Sequence, residues 1–417
     1  MQTNRCTVSI LTGPGRLHLF NSARALADAG MDVQIITGWA PYAKQMAWLD
    51  FLGRIAGYSN LSSRLGERRE QLQGRAKISE CILADYFQAG LSTLEKIGLM
   101  NEDRAGRWSF RYFGWAARSK LIGSSIVHVR SGAGQGGAIR RARQQGSKIV
   151  TDHSIAHPIT IARVLTPEYA RYGLECPICA EAPFWRLVLA DCEQADRLLV
   201  NSDYVRGTFI ENGFRPELID VAYLGVRDEF LGVKNSYEAG KKLKLLYTGH
   251  FELRKGARTL LDACQILKRR QLPFQLQVVG SMGSGRLALR GRNIGDDVKF
   301  VPYVTKEVLC NYLSEADMFV FPTFAEGSSR SAMEALGAGL PVITTRACGV
   351  PIVDGENGMY VEPGDAESLA DRIEALAQDT GKREVLGTAA CKMVRSKYSW
   401  ADYAAAVVRS YRAAGVL

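Results

Sequence analysis

The sequence predicts an α/β protein of two domains, each built around a parallel sheet covered by helices. At 417 residues the chain is long for a single domain. Short apolar stretches alternate with helical stretches, which is typical of parallel sheets wrapped by helices. A polar, charged segment at 227–241 is interpreted as a linker. The predicted units are a first domain at 1–226, a second domain at 242–397 and a final helix at 398–417.

The expected strands follow from short apolar runs bounded by turn residues. In the first domain they lie near 7–11, 33–37, 126–129, 148–151, 197–200 and 219–223. In the second domain they lie near 243–247, 275–279, 298–301, 318–321, 341–344 and 358–361. The stretch 41–124 interrupts the first set and is predicted to be a mostly helical insertion. The final helix carries an apolar stripe formed by Trp400, Tyr403, Val407, Val408 and Tyr411.

Composition argues against several classes of protein. No apolar run of about eighteen residues occurs, so a membrane-spanning helix is not predicted. The chain enters its first strand within a few residues, which leaves no room for a signal peptide. Nine scattered cysteines favour a reduced, cytoplasmic protein. The net charge of +10 predicts anionic partners, but no nucleic-acid-binding motif is present, so nucleic acid is not expected.

Two glutamates, Glu326 and Glu334, stand at the most informative junction of the chain. The run 318–321 predicts a strand closed by Pro322, and 331–337 predicts a helix. Glu334 is therefore expected about two turns into the helix, roughly 12 Å along its axis. Unpaired N–H groups at the helix start favour an anion between the carboxylates. This pattern suits a sugar nucleotide, whereas two unrelated helix charges are the alternative.

Further motifs surround this pair in a fixed order. They occupy 195–202, 223–227, 246–249, 255–256, 278–280, 298–301, 316–320 and 335–342. With 326–334 they resemble the signature of the family 4 retaining glycosyltransferases, which have the two-domain GT-B fold. The resemblance extends over residues 5–40 and 125–417 and leaves 41–124 unexplained. It implies two Rossmann-like domains that face each other across a deep cleft, with the last helix crossing back onto the first domain.

The resemblance also implies roles for charged residues of the second domain. Glu334 is expected to accept hydrogen bonds from the nucleotide ribose, and Glu326 to hold hydroxyl groups of the transferred sugar. Lys255 is expected at the diphosphate, where Arg254 adds a second positive charge. For these two cations, surface charges at the end of a strand loop are the alternative.

One position departs from the family pattern. Relatives usually have an arginine directly after the glycine at Gly249, but this chain has His250 there. The usual pair of arginine and lysine is therefore incomplete. Arg254 is the expected substitute.

The remaining predicted site residues line both sides of the cleft. Gly327, Ser328 and Ser329 follow the first glutamate, and the N–H groups of the two serines are expected to contact the phosphates. Gly15 belongs to the loop after the first strand, where glycine lets backbone approach a ligand closely. By resemblance this loop faces the diphosphate and the acceptor, and a plain turn is the alternative. His153 matches a histidine that relatives place near the donor sugar, although such a histidine is often structural.

As a whole, the resemblance implies transfer of a sugar from a nucleotide-diphosphate sugar to an acceptor hydroxyl, with retention of the anomeric configuration. The donor is expected to be UDP- or GDP-linked, and the departing phosphate to take the acceptor proton. No Asp-x-Asp pair occurs in a suitable loop, and positive charge at the diphosphate replaces a divalent metal, so no metal or cofactor is predicted. The expected acceptor is a glycan or a lipid-linked glycan of bacterial polysaccharide synthesis.

The segment 104–120, at the end of the insertion, mixes five basic residues with aromatic ones and contains no acidic residue. The aromatic residues are Trp108, Phe110, Tyr112, Phe113 and Trp115. This interleaving predicts docking on an anionic membrane, here the inner face of the plasma membrane. The alternative is that the aromatic side chains pack on the sheet while the arginines stay in water.

Three other functions compete with this interpretation. The glycine pattern GAGQGG at 132–137, with Asp152 following, suggests an NAD-dependent oxidoreductase. Cys176 and Cys179, together with His153 and His157, offer four zinc ligands. The third alternative is a catalytically silent transferase-like subunit that binds a partner.

Overall fold

The computed structural model describes residues 7–15, 18–41, 72, 74–292 and 295–416, which contain two parallel sheets. The first sheet is built from β1 Thr7–Leu11, β2 Asp32–Thr37, β3 Lys77–Glu80, β4 Ile126–Arg130, β5 Lys148–His153, β6 Arg197–Val200 and β7 Ile219–Val221. Its strand order is β3-β2-β1-β4-β5-β6-β7. The order reverses at β1, so the sheet is doubly wound.

The second sheet has the same design with six strands. They are β8 Leu243–Thr248, β9 Phe274–Val279, β10 Val298–Val301, β11 Met318–Phe321, β12 Val342–Thr344 and β13 Met359–Tyr360. Their order is β10-β9-β8-β11-β12-β13. All four residues of β11 are buried, as expected for a parallel strand covered by helices on both faces. The predicted class of two doubly wound α/β domains is confirmed.

Helices connect the strands. In the first half they are α1 Leu19–Asp28, α2 Ile82–Lys96, α3 Glu102–Ala117, α4 Ala138–Gln144, α5 Pro158–Ala170, α6 Pro183–Glu193 and α7 Asp203–Glu211. In the second half they are α8 Ala257–Arg269, α9 Lys306–Glu315, α10 Arg330–Ala338, α11 Ala366–Ala377, α12 Thr380–Lys397 and α13 Trp400–Ala413. Among the described residues, no helix combines the length and apolar character needed to cross a bilayer.

The predicted insertion at 41–124 is only partly comparable with the structure, because 42–71 and 73 lie outside the described residues. Its described part contains the helices α2 and α3, which pack together with the rings of Phe87 and Tyr112 4.5 Å apart. The strand β3 was not predicted. It is a half-buried edge strand with the sequence Lys-Ile-Ser-Glu, so it presents no apolar run that would reveal it.

The final helix, α13, packs on the first domain, as the resemblance implies. Its Tyr403 accepts a hydrogen bond from Oγ of Ser22 at 2.8 Å, and the hydroxyl of Tyr411 lies 2.7 Å from Nδ1 of His128. Both tyrosines are buried in a cluster with residues of β1, β2 and α1. The last helix thereby ties the end of the second domain to the first.

A second contact between the domains involves α5. Its apolar residues Ile161 and Leu165 belong to the core cluster of the second domain. Beside them, buried Glu168 accepts a hydrogen bond from Nε of Arg258 at 2.7 Å. Arg258 also pairs with Asp262 on α8. Because a buried carboxylate is costly without a partner, this ion pair helps to fix how the two sheets face each other.

The segment predicted as the linker lies along α10. The N–H of Gly232 donates to the carbonyl of Gly337 at 2.8 Å, and that of Lys234 to the carbonyl of Ala338 at 3.0 Å. Nζ of Lys234 also donates to the carbonyl of Ala316 at 2.6 Å. The connection between the domains is therefore held against the second domain.

Candidate active site

The strand order creates a crevice at the carboxyl ends of β8 and β11. These strands are neighbours, and the order of the second sheet reverses between them. In open α/β sheets, ligands bind outside the carboxyl ends of the strands at such a reversal. The loop 249–256 follows β8 and the loop 322–329 follows β11, so the two predicted donor-binding loops meet there.

Glu326 lies in a cluster of charges in this crevice. Its Oε1 accepts a hydrogen bond from Nη1 of Arg254 at 2.9 Å and lies 3.4 Å from Nζ of Lys255. Nη2 of Arg254 donates to Glu252 at 2.7 Å. Burial would lower the pKa of Arg254, but the two carboxylates raise it, so the guanidinium stays charged. The structure therefore brings Glu326, Arg254 and Lys255 together.

Arg254 and Lys255 differ in how many hydrogen-bond donors remain available for a ligand. Nη1 of Arg254 also donates to the carbonyl of Ala325, so its guanidinium is engaged by three acceptors. Lys255 has three N–H donors. Among the described residues its ammonium contacts the carboxylate of Glu326 and the ring face of Phe321. Lys255 is thus the better placed of the two for a diphosphate.

The backbone at Gly256 requires a glycine directly after the lysine. Its φ is +79°, and a Cβ there would lie 2.0 Å from the carbonyl oxygen of Pro322. Only glycine tolerates both the left-handed backbone and this close approach. The N–H of Phe324 donates to the carbonyl of Arg254 at 2.8 Å, which joins the two loops once more.

His250 lies at the edge of this cluster. Its ring is exposed, and Nδ1 lies 2.6 Å from Oγ of Ser281. Gly249 borders the lysine, since a Cβ there would lie 3.8 Å from Nζ of Lys255. The histidine therefore faces the neighbouring loop instead of Glu326, and Arg254 is the arginine of the crevice.

Glu334, on α10, has charged neighbours that differ from those of Glu326. Burial raises its pKa to about 7, while Arg330 and Arg227 oppose this rise. Lys306 also lies close enough to lower the pKa. None of these cations contacts Glu326 among the described residues, so the two glutamates form separate ends of the candidate site.

The two serines after Gly327 have different surroundings. Ser329 is the N-cap of α10: its Oγ accepts from the N–H of Ala332, and its own N–H donates to the carbonyl of Cys348 at 3.1 Å. Its N–H is therefore not free for a phosphate, contrary to expectation. Ser328 Oγ is buried without a hydrogen-bond partner in the described structure, so it is the serine left for a ligand.

Gly327 is a point of close approach between the domains. Its carbonyl accepts a hydrogen bond from Oγ of Ser202 at 2.5 Å. A Cβ on Gly327 would lie only 2.0 Å from the carbonyl oxygen of Ser154. The residue that follows Glu326 thus touches the residue that follows His153, which brings this histidine to the same cleft.

Two buried side chains of the first domain have unpaired atoms here. Nδ1 of His153 lies 2.9 Å from Oγ of Ser131, and Nε2 has no partner among the described residues. Burial lowers the pKa of His153 to about 4, so its ring is neutral near pH 7. Nδ2 of Asn201 donates to the carbonyl of Ser154 at 3.4 Å, whereas its buried Oδ1 is unpaired. Buried polar atoms normally have partners, so these atoms indicate a ligand.

Asn201 lies in the motif at 195–202, but the sequence predicts no role for it, because an asparagine that follows a strand carries no chemical signal of its own. Arg130, at the end of β4, was not identified either. It donates to the loop that precedes Gly15, and burial lowers its pKa to about 10 while Asp152 opposes this. A Cβ on Gly15 would lie 3.7 Å from its guanidinium. The glycine loop therefore adjoins a cation.

Comparison with known proteins agrees with this geometry. Residues 242–379 match the family described as Glycosyl transferases group 1. The crystal structure of HepE from Anabaena, in complex with UDP and glucose, superposes with a TM-score of 0.62 at 16% identity, over 98% of this chain and 100% of HepE. The chain has the GT-B fold, and residues 242–379 of its second domain are similar to the group 1 glycosyltransferases. The resemblance inferred from the motifs is confirmed.

Curated relatives match mainly through this domain. The D-inositol 3-phosphate glycosyltransferase of Pseudarthrobacter chlorophenolicus is 32% identical over 180 residues, which are 41% of this chain and 42% of that protein. The capsular polysaccharide biosynthesis glycosyltransferase CapM of Staphylococcus aureus is 29% identical over 188 residues, 42% of this chain and 49% of CapM. The chain thus spans about half the length of these relatives.

The GT-B structure does not support the oxidoreductase alternative. Helix α3 covers the glycine pattern at 132–137: a Cβ on Gly136 would lie 2.1 Å from the carbonyl oxygen of Arg111. Asp152, expected at a ribose, is instead buried and lies 2.8 Å from Nε2 of His18. Burial would raise the pKa of Asp152, but His18 holds it below its usual range. These glycines serve close packing.

The zinc alternative is not supported either. The rings of His153 and His157 both pack on Phe209, with centroids 4.9 and 5.1 Å away. Cys179 is exposed and donates to Glu181. In the part of the chain that the structure describes, no three His, Cys, Asp or Glu side chains are grouped to hold a metal ion.

Proposed function

We propose that this chain is a retaining, metal-independent glycosyltransferase that moves a sugar from a nucleotide-diphosphate sugar to an acceptor hydroxyl. The observation that carries the proposal is the shared crevice of Lys255 and Glu326 at the carboxyl ends of β8 and β11. It lies within the matched group 1 domain.

Lys255 binds the diphosphate in this proposal. Negative charge accumulates on the diphosphate as the sugar leaves, and a cation placed in advance stabilises that state more than the ground state. The N-terminal end of α10 adds partial positive charge. The carboxylates of Glu252 and Glu326 are already paired with Arg254, so they are poorly suited to bind a divalent metal.

The sugar lies between Glu326 and the first domain. Arg254 holds the carboxylate of Glu326 in place through a hydrogen bond, and this carboxylate accepts hydrogen bonds from sugar hydroxyls. Nε2 of His153, Oδ1 of Asn201 and Oγ of Ser328 supply the polar partners that the buried sugar needs. The acceptor hydroxyl attacks from the face that the diphosphate leaves, and the departing phosphate takes its proton.

Glu334 binds the ribose at the other end of the site. Partial burial raises the pKa of the Glu334 carboxyl group, and ribose hydroxyls replace the hydrogen bonds to water that burial removes. UDP- and GDP-linked sugars both fit this role. The complex of HepE with UDP and glucose favours a UDP-linked donor.

We assign the acceptor to bacterial polysaccharide or lipid-linked glycan synthesis, in which the name of CapM places that relative. The protein is then cytoplasmic and peripheral on the inner face of the plasma membrane, with 104–120 as the docking segment. Phe110 and Phe113 of this segment are buried in the core, whereas Trp108 and Trp115 are exposed. The exposed pair supports docking.

Thermal shift with UDP, GDP, ADP and NAD tests the donor class. Stabilisation by UDP or GDP that is lost in Glu334→Ala is expected. Stabilisation by NAD alone would support the oxidoreductase instead. NMR of the product formed from a UDP-sugar of known anomeric configuration then tests retention, because an inverted product contradicts the proposal.

The silent-subunit alternative makes a different prediction. Such a subunit binds UDP but releases none from UDP-sugars, with or without acceptor glycans. Release of UDP by the wild-type protein, with release abolished and UDP binding retained in Glu326→Gln, identifies an enzyme.

A further inference from the structure

Exposed apolar side chains are concentrated on α2, α3 and the residues beside them, and these two helices pack together. Nine of the sixteen exposed large apolar residues in the described structure lie between 82 and 122. They are Ile82, Leu83, Tyr86, Leu94, Ile97, Leu99, Trp108, Trp115 and Ile122. Apolar surface gathered in this way is typical of an interaction site, whereas isolated apolar residues on a surface are ordinary.

On α3 the exposed residues follow one face. Arginine and tryptophan alternate there at steps of four and three, in the order Arg104, Trp108, Arg111, Trp115 and Arg118. The indoles are each 53% exposed. The opposite face is buried on the sheet through residues that include Ala105, Phe110, Phe113 and Ala117. The helix therefore presents a stripe of guanidinium and indole groups to solvent.

This stripe ends at a basic pocket between α3 and α4. The pocket has a volume of about 550 Å³ and is lined by Trp115, Ala116, Arg118, Ser119, Leu121, Gly137, Arg140, Arg141 and Gln144. No acidic side chain of the described residues lines it. The guanidinium of Arg118 stacks over the ring of Trp115 at 5.6 Å. None of the three arginines that line the pocket forms an ion pair with a described carboxylate.

We propose that this pocket binds the headgroup phosphate of an anionic phospholipid, while Trp108 and Trp115 enter the interfacial layer of the bilayer. Three arginines without carboxylate partners match a phosphate, which accepts paired N–H bonds from guanidinium groups. Indole rings prefer the boundary between headgroups and acyl chains. The proposal gives the peripheral attachment proposed above a specific site, but it does not depend on sugar transfer.

Vesicle flotation tests the contribution of the pocket arginines to membrane binding. Wild-type protein is expected to bind vesicles of phosphatidylcholine and phosphatidylglycerol in equal parts, and to bind pure phosphatidylcholine far less. Arg140→Gln with Arg141→Gln is expected to lower partitioning roughly thirtyfold, since each basic residue near an anionic surface contributes about 1 kcal/mol. Lys382→Gln with Lys392→Gln, two exposed charges on α12, is the matched control and should bind like wild type.

A salt series tests the indoles separately. Near 1 M salt the Debye length is about 3 Å, so the remaining binding reports apolar insertion. Trp108→Ser with Trp115→Ser is expected to lose this remainder and to keep a salt-sensitive fraction. Equal binding to neutral and anionic vesicles, or equal losses in the arginine and lysine variants, overturns the proposal.

Inorganic phosphate distinguishes a free-anion site from a headgroup site. If titration shows phosphate binding that the arginine variant abolishes, while anionic vesicles leave the protein in solution, the pocket serves a soluble anion and the proposal is wrong. Thermal shift with UDP is expected to be unchanged in both pocket variants. Failure of vesicle binding is thereby distinguishable from failure of the proposed transferase function.

Discussion

Nζ of Lys255 lies 3.4 Å from Oε1 of Glu326, although the two residues belong to loops that follow different strands. The opposite charges attract each other, so each side chain holds the other in the crevice. In the proposed function, a diphosphate that enters the crevice meets this cation already in place. In the proposed function, a cation fixed in place by its partner carboxylate is pre-organised for the leaving group.

Lys255→Ala is expected to weaken UDP binding roughly thirtyfold, because a charge-assisted hydrogen bond contributes about 2 kcal/mol. Isothermal titration measures this directly. Lys268→Ala removes an exposed lysine that pairs with Asp297 on the surface, and it serves as the control. Equal UDP affinity in the Lys255 variant and wild type would place the diphosphate elsewhere.

Glu334→Gln is expected to stabilise the protein without nucleotide while weakening UDP binding about tenfold. Burial raises the pKa of Glu334 to about 7, so the folded state binds the proton more tightly than the unfolded state. Compared with the variant, the wild-type free energy of unfolding therefore falls as pH rises from about 4.5 to about 7. Above pH 7 the difference in free energy between the two proteins stays constant. Urea unfolding across this pH range measures the effect. A variant that loses stability at pH 8 would contradict it.

Asn201→Ala is expected to reduce affinity for a UDP-sugar about tenfold while leaving affinity for UDP unchanged, because in the proposed function the unpaired Oδ1 contacts the sugar and not the nucleotide. Titration of both ligands on the same variant supplies an internal control. If both affinities fall together, Asn201 supports the fold of the cleft and does not contact sugar.

Gly327→Ala is expected to force the domains apart, because its Cβ would lie 2.0 Å from the carbonyl oxygen of Ser154. The variant should show a larger radius of gyration in solution scattering and at least a tenfold loss of sugar transfer. Gly381→Ala is the control, since its nearest neighbour would lie at an ordinary 3.5 Å. Unchanged scattering with unchanged transfer would show that the contact is dispensable.

Chelation tests metal independence. Treatment with EDTA followed by gel filtration is expected to leave UDP affinity and the rate of transfer unchanged, because Lys255 and the start of α10 supply the positive charge. Activity that disappears with EDTA and returns with magnesium or manganese would show that the carboxylates of Glu252 or Glu326 hold a metal after all.

Much of the architecture was predictable because its signals are local. The strands of the second domain are short and mainly apolar, so all six could be located from their own residues. The junction of strand, loop and helix around Glu326 has the same local character. The exception is β3, an edge strand in which two of the four residues are charged, so no apolar run marks it.

The sequence by itself determined two doubly wound domains and the order of Lys255, Glu326 and Glu334 along the chain. Only the tertiary structure decided which polar atoms stay unpaired, since their neighbours come from distant segments. In the tertiary structure Arg254 pairs with Glu326, and the N–H of Ser329 is engaged in a hydrogen bond within the protein. On α3 it buried Phe110 and Phe113 and left the tryptophans in water, because periodicity separates two helix faces without saying which one the sheet covers.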